Sequence, residues 1–276
     1  MKDAILELCP DITVTHEPPQ NIRDPIIFTN NVVDRTDLDV KLLPSAHIDA
    51  AFQDMLLKDV AVTGGKLDHV MPLTIREIFA GKRSQKGIEP MDLSTSMGLP
   101  FRKKKVMFME RDVVPGPDGL CDVKVDERVL EDFARIDAKA RKGERLGLIF
   151  DAAAKDEQCK IGKNKPRVFT AINIYHSMLV RKYLLPVMAM ESEDTLSHEH
   201  AVWIRPASSE WTGLARHVSK RGKGRNVVGD FGGFDTRARY QAVRAGLCFY
   251  EKRAARCLHY TAEDLLALSV TCDEIA

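Results

Sequence analysis

The spacing of apolar and polar positions changes several times along the chain, and each change predicts an element. Residues 1–45 show little period, and "THEPPQNIRDP", with its three prolines, reads as an extended strap. "HIDAAFQDMLL" (47–57) predicts a short helix. "LTIREIFAG" (73–81) predicts another, with Leu73, Ile75, Ile78 and Phe79 partly on one face and Gly81 as its stop. From 82 to 126 glycines, prolines and short runs favour loops and strands over helices.

A helix is expected over 127–141, because Val129, Phe133, Ile136 and Ala140 recur at helical spacing, Asp126 can cap the start and Gly143 follows the end. "RLGLIFDA" (145–152) reads as a strand, and 173–190 as a helix bent by Pro186. "RNVVGDF" (225–231) reads as a buried strand. The helix after it puts Tyr240, Val243, Leu247, Tyr250 and Ala254 on one face. Thr261, with acids at 263 and 264, opens a last helix that runs almost to Ala276. No capping glycine or polar tail follows it, so a truncated sequence is expected.

A chain of 276 residues holds one large domain or two small ones with a real core. With 44% apolar and 29% charged residues, wholesale disorder is excluded. The formal net charge of +1 does not mark a nucleic-acid binder, so any such signal must lie in where the charges sit. Cys9, Cys121, Cys159, Cys248, Cys257 and Cys272 form no C-x-x-C pair and no zinc-finger spacing, which favours free thiols in a reducing compartment. No apolar run approaches the roughly 20 residues of a membrane helix. The first residues, "MKDAILELCPDITV", carry acids and a proline where a signal peptide needs an apolar core. A soluble intracellular chain is expected.

Three stretches carry candidate chemistry. In "DLSTSMGLPFRKKK" (92–105), hydroxyl residues precede a Gly-Leu-Pro turn and four consecutive cations follow. Small hydroxyl residues beside glycine permit close backbone approach and offer donors to phosphate oxygens. In "KDEQCKIGKNKPRVF" (155–169), Lys155, Lys160, Lys163, Lys165 and Arg167 are offset only by Asp156 and Glu157. That density suits a triphosphate, and the β-branched exit makes a hairpin plausible. In "VVGDFGGFDTRAR" (227–239), Asp230 ends the expected strand and Asp235 follows a glycine bend. A strand-end carboxylate is a place for a metal ligand, and Mg²⁺ takes one or two protein carboxylates and leaves the rest to phosphate and water. Each stretch alone also fits a solvated surface loop.

Two other matches fail. "DFG" (230–232) lacks the remaining protein-kinase motifs, and "TGGK" (63–66) lacks the spacing and hydroxyl of a P-loop. His198 and His200 have no nucleophile or metal partner legible in the sequence.

The order of the three stretches resembles the RNA-dependent RNA polymerases of picorna-like positive-strand viruses, of the dicistrovirus and related insect or marine type. Over about residues 70–250, "DLSTSMGLPF" is similar to motif G, beside the path of the incoming template. "KDEQCKIGKNKPRVF" is similar to motif F, lining the channel for incoming nucleotides, and "GDFGGFD" to motif A of the palm. "RKYLLPV" (181–187) and "IRPASSEW" (204–211) resemble connecting segments.

The resemblance implies an α+β right-hand polymerase fold with fingers and an incomplete palm. Residues 1–183 would be fingers, with motif G at 92–101 and motif F at 155–169. Residues 184–276 would be the first part of the palm, with motif A at 229–235. Asp230 would ligate catalytic Mg²⁺, with Mn²⁺ as the alternative ion, and Asp235 would act near the ribose 2′-OH to favour NTP over dNTP. Lys155, Lys160 and Arg167 would contact the triphosphate, and Thr95, Ser96 and Gly98 would guide the template. A primer 3′-OH would attack the α-phosphate, with two metals holding the attacking and leaving oxygens. The implied partners are a single-stranded RNA template, NTPs, a genome-linked protein primer and the remainder of a polyprotein. The implied location is a membrane-associated replication complex in the host cytoplasm.

Cys159 stands at the arginine of the family's K-D-E-x-R, so one nucleotide-stacking or phosphate contact that the resemblance implies is unmatched, with Lys160 as a partial substitute. Leu99 replaces the aromatic residue of the G-[YF]-P turn. Motif B, with its Ser-Gly loop, and motif C, Gly-Asp-Asp, are absent from 1–276, so the fragment alone is expected to be inactive. The competing readings are a non-catalytic single-stranded RNA-binding module and an inactive polyprotein segment. Asp230 discriminates, because a carboxylate near RNA phosphates gains a binder nothing.

Overall fold

The computed structural model describes residues 16–17, 44–155, 159–160, 168–222, 224–230, 238 and 240–276. In chain order its elements are β1 (His16–Glu17), α1 (Ser45–Thr63), α2 (Ile75–Ala80), β2 (Met109–Arg111), β3 (Val123–Val125), α3 (Glu127–Ala140), β4 (Asp151–Ala154), β5 (Cys159–Lys160) and β6 (Val168–Ala171). After these come α4 (Ile174–Leu179), a π-helical turn (Val180–Leu184), α5 (Leu185–Ala189), α6 (Glu210–Ser219), α7 (Tyr240–Ala254) and α8 (Ala262–Ile275). They fall into two compact units, Met1–Asp39 with Phe150–Ala171, and Val40–Ile149 with Ile172–Ala276. The expected fingers–palm boundary at 183/184 lies inside the helical run 174–189.

In the larger unit the helices begin and end where local chemistry dictates. Thr74 and Glu77 form a capping box at α2, and Thr261 and Asp264 form one at α8. The Asp126 carboxylate accepts from the Arg128 N–H at 3.0 Å and caps α3. Val129, Phe133 and Ala140 then bury one face of α3, as their spacing predicts. They join a single apolar core with Ile78, Phe79, Met97, Met178, Leu179, Tyr183, Val187 and Leu268. The helix over 173–190 is interrupted by the π turn directly before Pro186. Pro186 has no N–H to give the ladder, and the wider turn absorbs the break.

Behind this core a buried ion network ties three segments together. Arg253, fully buried, donates to Asp59 through Nη2 at 2.6 Å and meets Glu191 at 2.9 Å. Arg256 donates to the other Asp59 oxygen at 2.8 Å, and the Tyr250 hydroxyl donates to Glu191 at 3.1 Å. His200 Nε2 also lies 3.0 Å from Glu191, which accounts for a histidine without a legible role.

In the smaller unit β4 and β6 pair antiparallel, Asp151 opposite Ala171 through Ala154 opposite Val168. β1 pairs with β5, His16 opposite Lys160. The rest of the expected proline-rich strap lies outside the described residues.

Two expected strands differ. Over 145–152 only the end enters β4. The N–H groups of Leu146, Gly147 and Leu148 instead donate to the Glu274 carboxylate at 3.0, 3.3 and 3.2 Å, so no strand partner receives them. Residues 225–230 form no strand and are exposed, Val227 at 101% and Val228 at 93%. Among the described residues no strand pairs with this segment. β-propensity without a neighbour does not bury it.

Among the described residues no helix is long and apolar enough to cross a membrane.

Candidate nucleic-acid interface

The 92–105 stretch folds as a small hairpin. The Met97 N–H donates to the Lys103 carbonyl at 2.7 Å, the Lys105 N–H to Thr95 at 3.0 Å and the Val106 N–H to Leu93 at 3.2 Å. Ser96 pairs with Lys104 across it. Alternation along these arms sends Met97 fully into the core, while Ser94, Thr95 and Ser96 face solvent with Arg102, Lys103 and Lys104. The opening is stiffened by Asp92, which accepts from the Ser94 hydroxyl at 2.7 Å and its N–H at 2.8 Å. Those bonds hold the Asp92 carboxyl below its ordinary range.

Gly98 closes the turn at φ +71. A Cβ there would stand 2.8 Å from both the Asn173 Cα and the Ile172 carbonyl oxygen, so only glycine fits. The Ile174 N–H donates to the Met97 carbonyl at 2.8 Å, and Asn173 caps α4 by accepting from the His176 N–H at 3.1 Å. The hairpin is thereby pinned to the first turn of a buried helix. The Ser96 hydroxyl accepts from the Gly98 N–H at 3.0 Å. The Thr95 hydroxyl donates to the Asp92 carbonyl at 3.1 Å.

Beneath lie three cations that sequence reading did not separate from their exposed neighbours. Lys105 is 8% exposed and donates to the Thr95 hydroxyl. Arg111 donates to the Met91 carbonyl at 2.6 Å, and Arg181 to the Ile78 carbonyl at 2.6 Å. Burial pushes the Lys105 ammonium and the Arg181 guanidinium down from their ordinary values. Among the described residues none of the three has an ion-pair partner, so the hydroxyl-bearing turn sits on a positive floor. In the sequence Lys105 is one of four like cations. Only the hairpin register, which turns it inward, distinguishes it.

The other predicted residues are placed separately. Lys155 is exposed and directly follows β4, and Val168 opens β6, so an antiparallel strand pair flanks the basic stretch as its exit residues suggest. Lys160 lies in β5. Arg167 and Asp235 lie outside the described residues. Asp230 is exposed at the end of the irregular 225–230 segment. Among the described residues no three His, Cys, Asp or Glu side chains converge to hold a metal. A hard dication that keeps most of its shell as water and phosphate oxygen needs no such cluster, and Asp230 fits it as one ligand.

Curated relatives are viral polyproteins. Over 253 residues the chain is 30% identical to the replicase polyprotein of Cricket paralysis virus, covering 87% of this chain and 14% of that protein. Over 159 residues it is 36% identical to the RNA1 polyprotein of Tomato torrado virus, covering 54% of this chain and 7% of that one. Over 233 residues it is 26% identical to the replicase polyprotein of Drosophila C virus, covering 76% and 13%. A solved Sicinivirus 3Dpol RNA dependent RNA polymerase superposes with a TM-score of 0.63 at 14% identity, covering 95% of this chain and 52% of that one. The chain therefore spans about half of that solved polymerase and a small part of each polyprotein. The likeness establishes the right-hand polymerase fold that the three motifs implied. The family profile for viral RNA-dependent RNA polymerase matches residues 45–250, most of the chain, and this protein belongs to that family.

Proposed function

We propose that the chain supplies the template-guiding and nucleotide-binding part of a viral RNA-directed RNA polymerase. The observation that carries this reading is the 92–105 hairpin. Its exposed hydroxyls and cations, pinned against α4 over a buried positive floor, suit the sugar-phosphate backbone of a single strand. Thr95 and Ser96 present the strand-facing edge, and Gly98, seated against the Asn173 backbone, holds that edge in place to guide the template.

Lys155, Lys160 and Arg167 hold the triphosphate of the incoming NTP. Asp235 reads the ribose. The primer 3′-hydroxyl attacks the α-phosphorus and gives its proton to water, one P–O bond forms, and pyrophosphate leaves with the electrons of the broken bond. Asp230 would hold Mg²⁺, or Mn²⁺ in its place, which when bound supplies positive charge to the reacting phosphate oxygens. The polyprotein relatives support a larger precursor; the remaining carboxylates would come from it, and a genome-linked protein would serve as primer. The fingers would extend to 183 and the palm begin at 184.

Titration of the chain with NTP in the presence and absence of Mg²⁺ tests the reading. NTP binding that needs Mg²⁺ and is lost in Asp230→Ala is expected. RNA binding indifferent to Mg²⁺, with no NTP binding, would favour a plain RNA-binding module instead.

A further inference from the structure

A second basic surface lies apart from the three motifs. Residues 82–90 and the 205–210 segment line a cleft of about 700 Å³, with four cations, Lys82, Arg83, Lys86 and Arg205, against two carboxylates, Glu89 and Glu210. Both carboxylates are committed. Glu210 takes Lys86 as an ion pair and accepts the Arg205 N–H at 3.0 Å, and Glu89 meets Arg205 at 3.5 Å. Lys86, with the Arg205 N–H behind it, pushes the Glu210 carboxyl down to about 2, so it stays ionised and bound in place. The neighbouring Asp118 and Asp122 are both held by Arg76.

Arg83 is left over. It is exposed, lies across Gly119, where a Cβ would collide with its Nη1, and has no ion-pair partner among the described residues. The nearest acid to Lys82 is Glu77 at 3.9 Å, already engaged in capping α2.

The wall bearing these cations is rigid. The Lys82 N–H donates to the Ile88 carbonyl at 2.8 Å, and the Ser192 hydroxyl donates to the Lys86 carbonyl at 2.9 Å. Gly87, at φ +88, packs under the Trp203 ring. Among the described residues that line it, only Ile88, Pro90 and Leu120 have apolar side chains, and none is aromatic. Such a cleft offers no ring on which a base could stack. It can take a chain of phosphates. The segment runs on through Pro90 into the 92–105 hairpin, so one strand of chain carries both basic surfaces.

We propose that this cleft is a second, sequence-independent site for the phosphodiester backbone of single-stranded RNA, with Arg83 and Lys82 as its phosphate contacts. The proposal rests on the polymerase reading above. It also gives a use to "IRPASSEW", whose Arg205 and Glu210 build the cleft's far wall.

Affinity of the full chain for a non-specific single-stranded RNA, measured against salt, tests it. The double variant Lys82→Ala/Arg83→Ala is expected to bind about three- to tenfold more weakly, with the slope of log affinity against log salt reduced by about 1.4, roughly 0.7 for each lost phosphate contact on a single strand. Arg83→Lys should keep most of the slope, and thermal melting of the double variant should fall little, because Arg83 is exposed and Lys82 meets only Glu77, at 3.9 Å. Lys103→Ala/Lys104→Ala serves as the comparison. If that pair weakens RNA binding while Lys82→Ala/Arg83→Ala changes neither affinity nor slope, the second site is wrong and the polymerase reading stands. If neither pair matters, the RNA reading of both surfaces falls.

Discussion

The buried ammonium of Lys105 donates to the hydroxyl of Thr95, and that hydroxyl donates onward to the Asp92 carbonyl at 3.1 Å. An exposed threonine is thus the acceptor for a cation with no other described partner. Thr95→Val should strand that cation and destabilise the chain by about 1–3 kcal/mol. Lys105→Met removes the demand for an acceptor and should cost less, and the double variant should recover part of the Thr95→Val loss. Urea midpoints at constant slope decide it. Equal losses in both single variants would refute the arrangement.

Gly98 combines a left-handed φ of +71 with backbone atoms 2.8 Å from any Cβ. Gly98→Ala should cost about 2–4 kcal/mol, because backbone strain and a clash with Asn173 add. The same substitution at half-buried Gly213 in α6, where a Cβ meets nothing, should be neutral or mildly stabilising. Denaturant unfolding of the two variants side by side measures the contrast.

Arg253 neutralises Asp59 and Glu191 at a site closed to water. Arg253→Met should destabilise by about 3–5 kcal/mol, since it removes the fully buried cation that Asp59 and Glu191 share and leaves Asp59 with Arg256 alone. Arg256, whose side chain is 30% exposed, shares Asp59 and should matter less. A loss below that of Arg256→Met in chemical denaturation would show the network to be dispensable.

His176 is buried at the start of α4, and burial pushes its pKa below 6.5 despite the nearby Thr271 carbonyl and Glu274. The unfolded chain therefore binds a proton that the folded chain refuses. Its contribution to stability is complete above pH 6.5 and falls away as pH drops from there through the lower folded value. Melting temperature should decline over that window, and His176→Gln should flatten the decline. A melting profile unaffected by the substitution would contradict this.

What could be read from the sequence was what local chemistry decides. The Asp126 cap, the Val129–Phe133–Ala140 spacing and the capping Thr261 each formed as predicted. The 155–169 stretch does spring from an antiparallel pair. What failed depended on distant partners. Leu146 to Leu148 look like a strand until Glu274, over 120 positions away, takes their N–H groups. Val227 and Val228 look buried, but among the described residues no neighbour covers them. Within the site, the exposed hydroxyls were legible by composition. The inward turn of Lys105 and the support from Arg111 and Arg181 required the hairpin register and the approach of α4.

Template-directed incorporation tests the central claim most directly. In a polymerase carrying these 276 residues, Asp230→Ala should abolish incorporation of NTP and dNTP alike while RNA affinity holds. Asp235→Ala should remain active with a reduced preference for NTP over dNTP. Incorporation by the Asp230→Ala polymerase at the parent rate would contradict the assignment of this chain's catalytic carboxylate.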